Sequence, residues 1–105
     1  MTTDDRADAG PADLVPWRRR IDDIDRQIVA LLNERAACAA EIGRIKHAAR
    51  LPVYAPRREA DVQRNAAEAN AGPLPPDALR RLFERIIDET RSLERRLAGD
   101  ADEAA

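Results

Sequence analysis

The chain predicts an all-α fold of three helices, the first of them very long. Three observations carry that expectation. Apolar residues recur at alternating steps of four and three, which is a helical period and not a strand period. The apolar content is mostly Ala, Leu, Ile and Val, with only 3% aromatic residues, which suits helix packing better than a sandwich core. The seven prolines stand at the borders of the periodic segments, apart from Pro16 in a first turn. At 105 residues this is one small domain. It is expected over residues 13–97, between a disordered acidic tail at 1–12 and a flexible acidic tail at 98–105.

The first helix reads from about Asp13 to Ala49. Pro16 is tolerated in its first turn, where amides lack internal partners anyway. Its stripe runs Trp17, Ile21, Ile24, Ile28, Leu31, Arg35, Cys38, Ile42 and Ile45. At the helical rise this segment is a rod of about 54 Å, against a radius of gyration of about 13 Å for a compact domain of this size. One short and one medium helix cannot cover such a rod. A second copy can, so a homodimer with paired long helices is expected, and its pockets can draw residues from both chains.

Arg50-Leu51-Pro52-Val53-Tyr54-Ala55-Pro56 is a loop with two helix-stopping prolines. A second helix runs from Pro56 to about Asn70, with Val62, Ala66 and Ala69 facing inward. Ala71-Gly72-Pro73-Leu74-Pro75-Pro76 ends it and opens the third. That helix carries Leu79, Phe83, Ile86, Thr90, Leu93 and Leu97, again in alternating fours and threes.

The net charge of -2 hides an asymmetry. Residues 1–13 and 98–105 hold seven acids and one Arg, whereas residues 14–97 hold seventeen basic and thirteen acidic side chains. The excess in the folded part fits binding of a small anion and is too interspersed for nucleic acid. The single cysteine, Cys38, excludes an intrachain disulfide and a Cys-rich metal site. Neither a signal-peptide pattern nor a run of about 18 apolar residues is present. A cytoplasmic protein without membrane partner, metal or cofactor is expected.

Arg35 sits where the stripe calls for an apolar residue. A guanidinium there is taken out of water and cannot lose its charge, so either a carboxylate of the fold or a ligand anion must meet it. Lys46 lies about 20° round the helix from Arg35, with Ala39 and Ile42 between. On the third helix Thr90 interrupts the stripe and Glu94 sits one turn beyond, while Arg58 and Glu59 open the second, where helix-terminal amides favour an anion. Each has a plain alternative. Arg35 can pair with a structural Glu, Lys46 can reach solvent along its stem, and Thr90 can simply fill an interface. Glu94 can be surface, Arg58 and Glu59 can be ordinary first-turn charges, and Arg18-Arg19-Arg20 can be a solvated face. Cys38 reads as core packing and His47 as exposed. Two cations on one line, with hydroxyl and carboxyl groups on another stripe and no nucleophile or metal motif, suggest a pocket that clamps a small multi-anion.

The residues resemble a known family. Arg18-x-x-Ile21-Asp22-x-Ile24-Asp25-x-x-Ile28-x-x-Leu31-Leu32-x-x-Arg35, then Gly43-x-x-Lys46, then Leu51-Pro52-Val53-Tyr54-x-Pro56-x-Arg58-Glu59, and finally Leu82-Phe83-x-x-Ile86-Ile87 with Thr90 and Glu94, are similar to the all-helical AroQ-class chorismate mutases. The resemblance covers about Trp17 to Leu97. It implies an intertwined homodimer that rearranges chorismate to prephenate in one pericyclic step, without cofactor or covalent intermediate, by holding a dicarboxylate in a near-attack geometry and stabilising charge on the breaking ether oxygen. It assigns Arg35, and Arg18 from the other chain, to the substrate carboxylates. Lys46 is implied to reach a carboxylate and the ether oxygen, and Arg58 to be a further pocket arginine. Glu59 is implied to accept from the ring C4 hydroxyl, and Thr90 to make a hydroxyl contact.

Two positions depart from the family pattern. Ala55 stands where many members have Asp, though its backbone amide can still serve the ring hydroxyl. Glu94 stands where some members have Gln and others Glu; a carboxylate there would repel the charge building on the ether oxygen, so Glu94 is expected to work protonated, donating to that oxygen. Rivals on the same fold are a 4-amino-4-deoxychorismate mutase and an isochorismate-pyruvate lyase, the latter suggested by Ala55-Pro56-x-Arg58; Glu59 counts against both. A non-catalytic regulatory dimer is a rival of a different class, and a partner enzyme of the shikimate pathway is a further expectation.

Overall fold

The computed structural model describes residues 11–104, with side chains over 11–97. A short 3-10 turn at Ala12–Leu14 leads into α1, Val15–Ala49, which is followed by α2, Pro56–Ala69, and α3, Pro76–Ala104. No strand occurs among the described residues. All three helices fall where the apolar period places them. Residues 1–10 of the expected N-terminal tail lie outside the described residues, whereas Ala12 already belongs to the opening turn. The α3 backbone continues past Leu97 to Ala104; the side chains of the expected C-terminal tail, and Ala105 altogether, lie outside the described residues.

The chain divides into two compact units, Met1–Arg35 and Ala36–Ala105. In the first, the α1 stripe is open: Trp17, Ile21, Ile24, Ile28 and Leu31 are all exposed, Trp17 by 69%. Arg18, Asp22 and Arg35 are half-buried. The charged flank is solvated, as in the Arg26–Asp23 pair at 2.7 Å, and contributes little to stability.

The second unit contains the C-terminal part of α1 with α2 and α3. Here α2 and α3 run antiparallel, because Gln63 Nε2 near the middle of α2 donates to the Arg80 carbonyl at 3.0 Å, whereas Glu59 at its start meets Arg91 further along α3. Val62 and Ala66 are half-buried, as are Leu79, Phe83, Ile86, Thr90, Leu93 and Leu97; Ala69, expected inward, is exposed. Among the described residues the buried apolar side chains are Ala39 at 3% and Ile87 at 8% exposure, and the buried charged one is Glu94 at 7%. Glu94 is that deep because of Gly43, where an added Cβ would lie 3.4 Å from the Glu94 Cα. Without a side chain at Gly43, α1 and α3 approach closely at this point. Cys38 departs from the expected core packing: it is exposed, because neighbouring stripe positions such as Ile42 and Ile45 are themselves uncovered.

The connections follow from local chemistry. Arg50 adopts φ 57°, the left-handed conformation that closes a helix. The Arg50 amide donates to the His47 carbonyl at 3.1 Å and the Leu51 amide to the Lys46 carbonyl at 2.8 Å, the paired bonds of a Schellman ending. Gly72, at φ 78°, serves the turn between α2 and α3, where its amide donates to Asn70 Oδ1 at 3.0 Å.

Candidate active site

The last turn of α1 sets the first half of the site. The Schellman ending folds the following loop back over Lys46, and Lys46 Nζ donates to the Val53 carbonyl at 2.9 Å and to Glu94 Oε1 at 3.0 Å. The side chains are 20% and 9% exposed. The ammonium is therefore held inside the unit by two of its three N–H groups, and the alternative of a lysine reaching solvent does not describe it. Glu94 is likewise not a surface residue.

The second half sits one turn earlier on α3. Arg91 grips Glu59 through three hydrogen bonds: Nε to Oε2 at 3.0 Å, and one terminal nitrogen to Oε1 at 2.7 Å and to Oε2 at 2.8 Å. Its guanidinium carbon lies 5.4 Å from the centroid of the Tyr54 ring, within cation–π range. The hydrogen bond to Glu59 holds the guanidinium pKa above its ordinary value, desolvation working against it, with further help from the charges of Glu59 and Asp88. An open groove of about 460 Å³ runs between α2 and α3 from this pair toward Gln63 and Arg80, with Ile87 in its wall. That volume lies within the range of small-molecule sites.

The remaining expected residues are placed individually. Ala55 is the N-cap of α2, its carbonyl accepting from the Glu59 amide at 3.0 Å, and no side chain caps that end. Arg58 is exposed on the first turn of α2. The Thr90 hydroxyl donates to the Ile86 carbonyl of its own helix at 2.9 Å. Arg18 and Arg35 belong to the first unit and are half-buried there. Lys46 with Glu94, and Glu59 in the neighbouring pair, are thus the expected residues that the second unit gathers.

Arg91 and the Val53 carbonyl are the participants that the sequence did not reveal. A carbonyl leaves no sequence signal. Arg91 leaves a faint one: Ile87, Arg91 and Glu94 follow each other by four and three, a helical line adjacent to the Thr90 stripe. Among the described residues no cluster of His, Cys, Asp or Glu could hold a metal ion, and no helix is long and apolar enough to cross a membrane. What the side chains offer is a cation fixed at Lys46 and an acceptor, Glu59, held by a guanidinium at the end of a groove that Lys46 does not line.

The chain is similar to known proteins over most of its length. The family described as chorismate mutase type II matches residues 17–95. A bifunctional chorismate mutase/prephenate dehydratase of Neisseria gonorrhoeae is 44% identical over 84 residues, covering 80% of this chain and 23% of that protein. The T-protein of Enterobacter agglomerans is 34% identical over 84 residues, covering 79% of the chain and 22% of that protein. The chain thus spans about a quarter of the length of such relatives. A solved structure of a chorismate mutase from Thermus thermophilus superposes with a TM-score of 0.78 at 34% identity, covering 80% of this chain and 96% of that one.

Proposed function

The chain belongs to the chorismate mutase type II family, and we propose that it rearranges chorismate to prephenate in the cytoplasm as an intertwined homodimer. The observation that carries this reading is the Lys46 ammonium, fixed at 3.0 Å from the buried Glu94 carboxyl. The rearrangement breaks an ether bond, and negative charge builds on its oxygen in the transition state. A cation fixed beforehand stabilises that charge without reorganising at the moment of reaction.

The other residues take their parts from the shape of the substrate. Lys46 also reaches a substrate carboxylate, and Glu94, carrying a proton, donates to the ether oxygen. Glu59 accepts from the C4 hydroxyl, with the Ala55 backbone amide beside it. Thr90 and Arg58 complete the pocket. Arg35 holds a carboxylate, and Arg18 of the partner subunit holds the other side of the molecule. No atom of the protein bonds to substrate, so rate comes from confining the chain of atoms in a near-attack geometry and from electrostatics. Relatives such as the Neisseria gonorrhoeae protein join a mutase to a prephenate dehydratase. The partner enzyme proposed for this chain is accordingly one that consumes prephenate.

Incubation of the purified chain with chorismate tests the proposal: loss of chorismate with formation of prephenate is expected. Arg35→Ala should reduce kcat/KM by about a hundredfold or more while the dimer persists in sedimentation. Separate incubations with 4-amino-4-deoxychorismate and isochorismate distinguish the rival reactions. Failure to form prephenate, with another substrate consumed, would overturn the assignment; an inactive but dimeric chain would favour the regulatory role.

A further inference from the structure

The Glu59 carboxylate is not a bare anion. Both of its oxygens receive hydrogen bonds from Arg91, and Arg91 in turn lies over the Tyr54 ring. The two charged side chains are 24% and 26% exposed and stand at one end of the groove between α2 and α3. A carboxylate has about four lone-pair sites, so Glu59 can bond Arg91 and still accept from a ligand hydroxyl. Its attraction for a cation is another matter. The guanidinium cannot deprotonate, and its positive charge within hydrogen-bonding distance of Glu59 weakens the field of the carboxylate at a ligand. Asp88 reaches Arg91 at 3.6 Å, but it is 59% exposed and largely screened.

We propose that Arg91 is a specificity-determining positioning residue, acting through Glu59 to make the site favour a neutral hydroxyl over an ammonium on the substrate ring. The inference rests on the chorismate reading above and adds a reason for discrimination that Glu59 alone does not supply. A lone Glu59 would accept from a hydroxyl and would bind an ammonium more strongly still, as an ion pair. With Arg91 bound, the ion pair already exists inside the protein, and an incoming ammonium meets a guanidinium as well as a carboxylate. Discrimination then comes from the repulsive element as much as from the attractive one.

The test compares chorismate with its 4-amino analogue in the full chain. The chorismate KM and the inhibition constant of the analogue against chorismate turnover are measured for the parent, Arg91→Met and Arg91→Lys. Arg91→Met should weaken chorismate and tighten the analogue relative to it, shifting the ratio by about tenfold. Arg91→Lys, which keeps the charge, should stay near the parent ratio. Glu59→Gln should move the ratio the opposite way, and Arg91→Gln, which removes the charge but can still donate to Glu59, carries the test should Arg91→Met lose its helical circular dichroism. A purely structural Arg91 would change both constants in parallel, and an unchanged ratio with turnover intact overturns this inference alone. A parent chain without chorismate turnover removes the premise and this inference with it.

Discussion

At the scale of single residues, Glu94 carries the sharpest consequence. In the chain its Oε1 accepts from Lys46 Nζ at 3.0 Å, and Gly43 lets its backbone lie against α1. A carboxylate beside the breaking ether oxygen would repel the charge that builds there, whereas a carboxyl group with its proton donates to it. The proposed reaction therefore needs Glu94 as a hydrogen-bond donor. Glu94→Gln, which donates an N–H without needing a proton, should therefore retain turnover, whereas Glu94→Ala should lose it by about a hundredfold. The measurement is kcat for both variants against the parent; a Glu94→Gln protein as impaired as Glu94→Ala would remove Glu94 from the proton-donating role. Lys46 and Glu94 are legible in the sequence because a charged group on or beside an apolar stripe needs a partner. Arg91 is not, because it is one of six arginines on α3, with Arg80, Arg81, Arg85, Arg95 and Arg96, and periodicity does not separate it from the others.

At the scale of elements, the site depends on how α1 ends and α2 begins. The Schellman ending at Arg50 returns the loop so that Val53 meets Lys46, and α2 then starts at Pro56 with its fixed φ. That start has no side-chain cap, because Ala55 occupies the N-cap position at φ −136°, ψ 79°. An Asp at that position can accept from the free amides of the first turn and complement the helix dipole. Ala55→Asp should therefore stabilise the chain by about 1 kcal/mol, read as a higher Tm in thermal denaturation. An unchanged Tm would mean that this backbone conformation does not present the carboxylate to the amides. The Pro56 boundary is visible in the sequence because proline punctuates. The left-handed Arg50 is not, since a non-glycine residue there looks like any other surface charge. The continuation of α3 to Ala104 is hidden for a different reason: the stripe that signals the helix stops at Leu97, and Gly99, Asp100 and Asp102 beyond it are poor helix formers that give the sequence no reason to extend it.

At the scale of the whole molecule, apolar surface argues for a second chain. Among the described residues, Ala39 and Ile87 are the buried apolar side chains, whereas Trp17, Ile21, Ile28, Leu31 and Ile45 are between 47% and 69% exposed. A row of large apolar side chains on one helix face is a surface for association, and an isologous pairing of long helices covers it twice with one contact. Arg18 and Arg35 both lie on α1, about 100° apart round its axis, so they need not serve the same pocket within one chain. If each site takes Arg35 from one subunit and Arg18 from the other, Arg18→Ala and Arg35→Ala homodimers are both crippled. Mixing them forms heterodimers in which one site has both arginines and the other has neither. Random exchange makes half of the dimers hybrid, each with one intact site, so roughly a quarter of the parental activity should return. The readout is prephenate formation before and after subunit exchange, with exchange verified by mass spectrometry of differently tagged chains. Complete exchange without recovery would place both arginines in a single-chain site and refute the shared one.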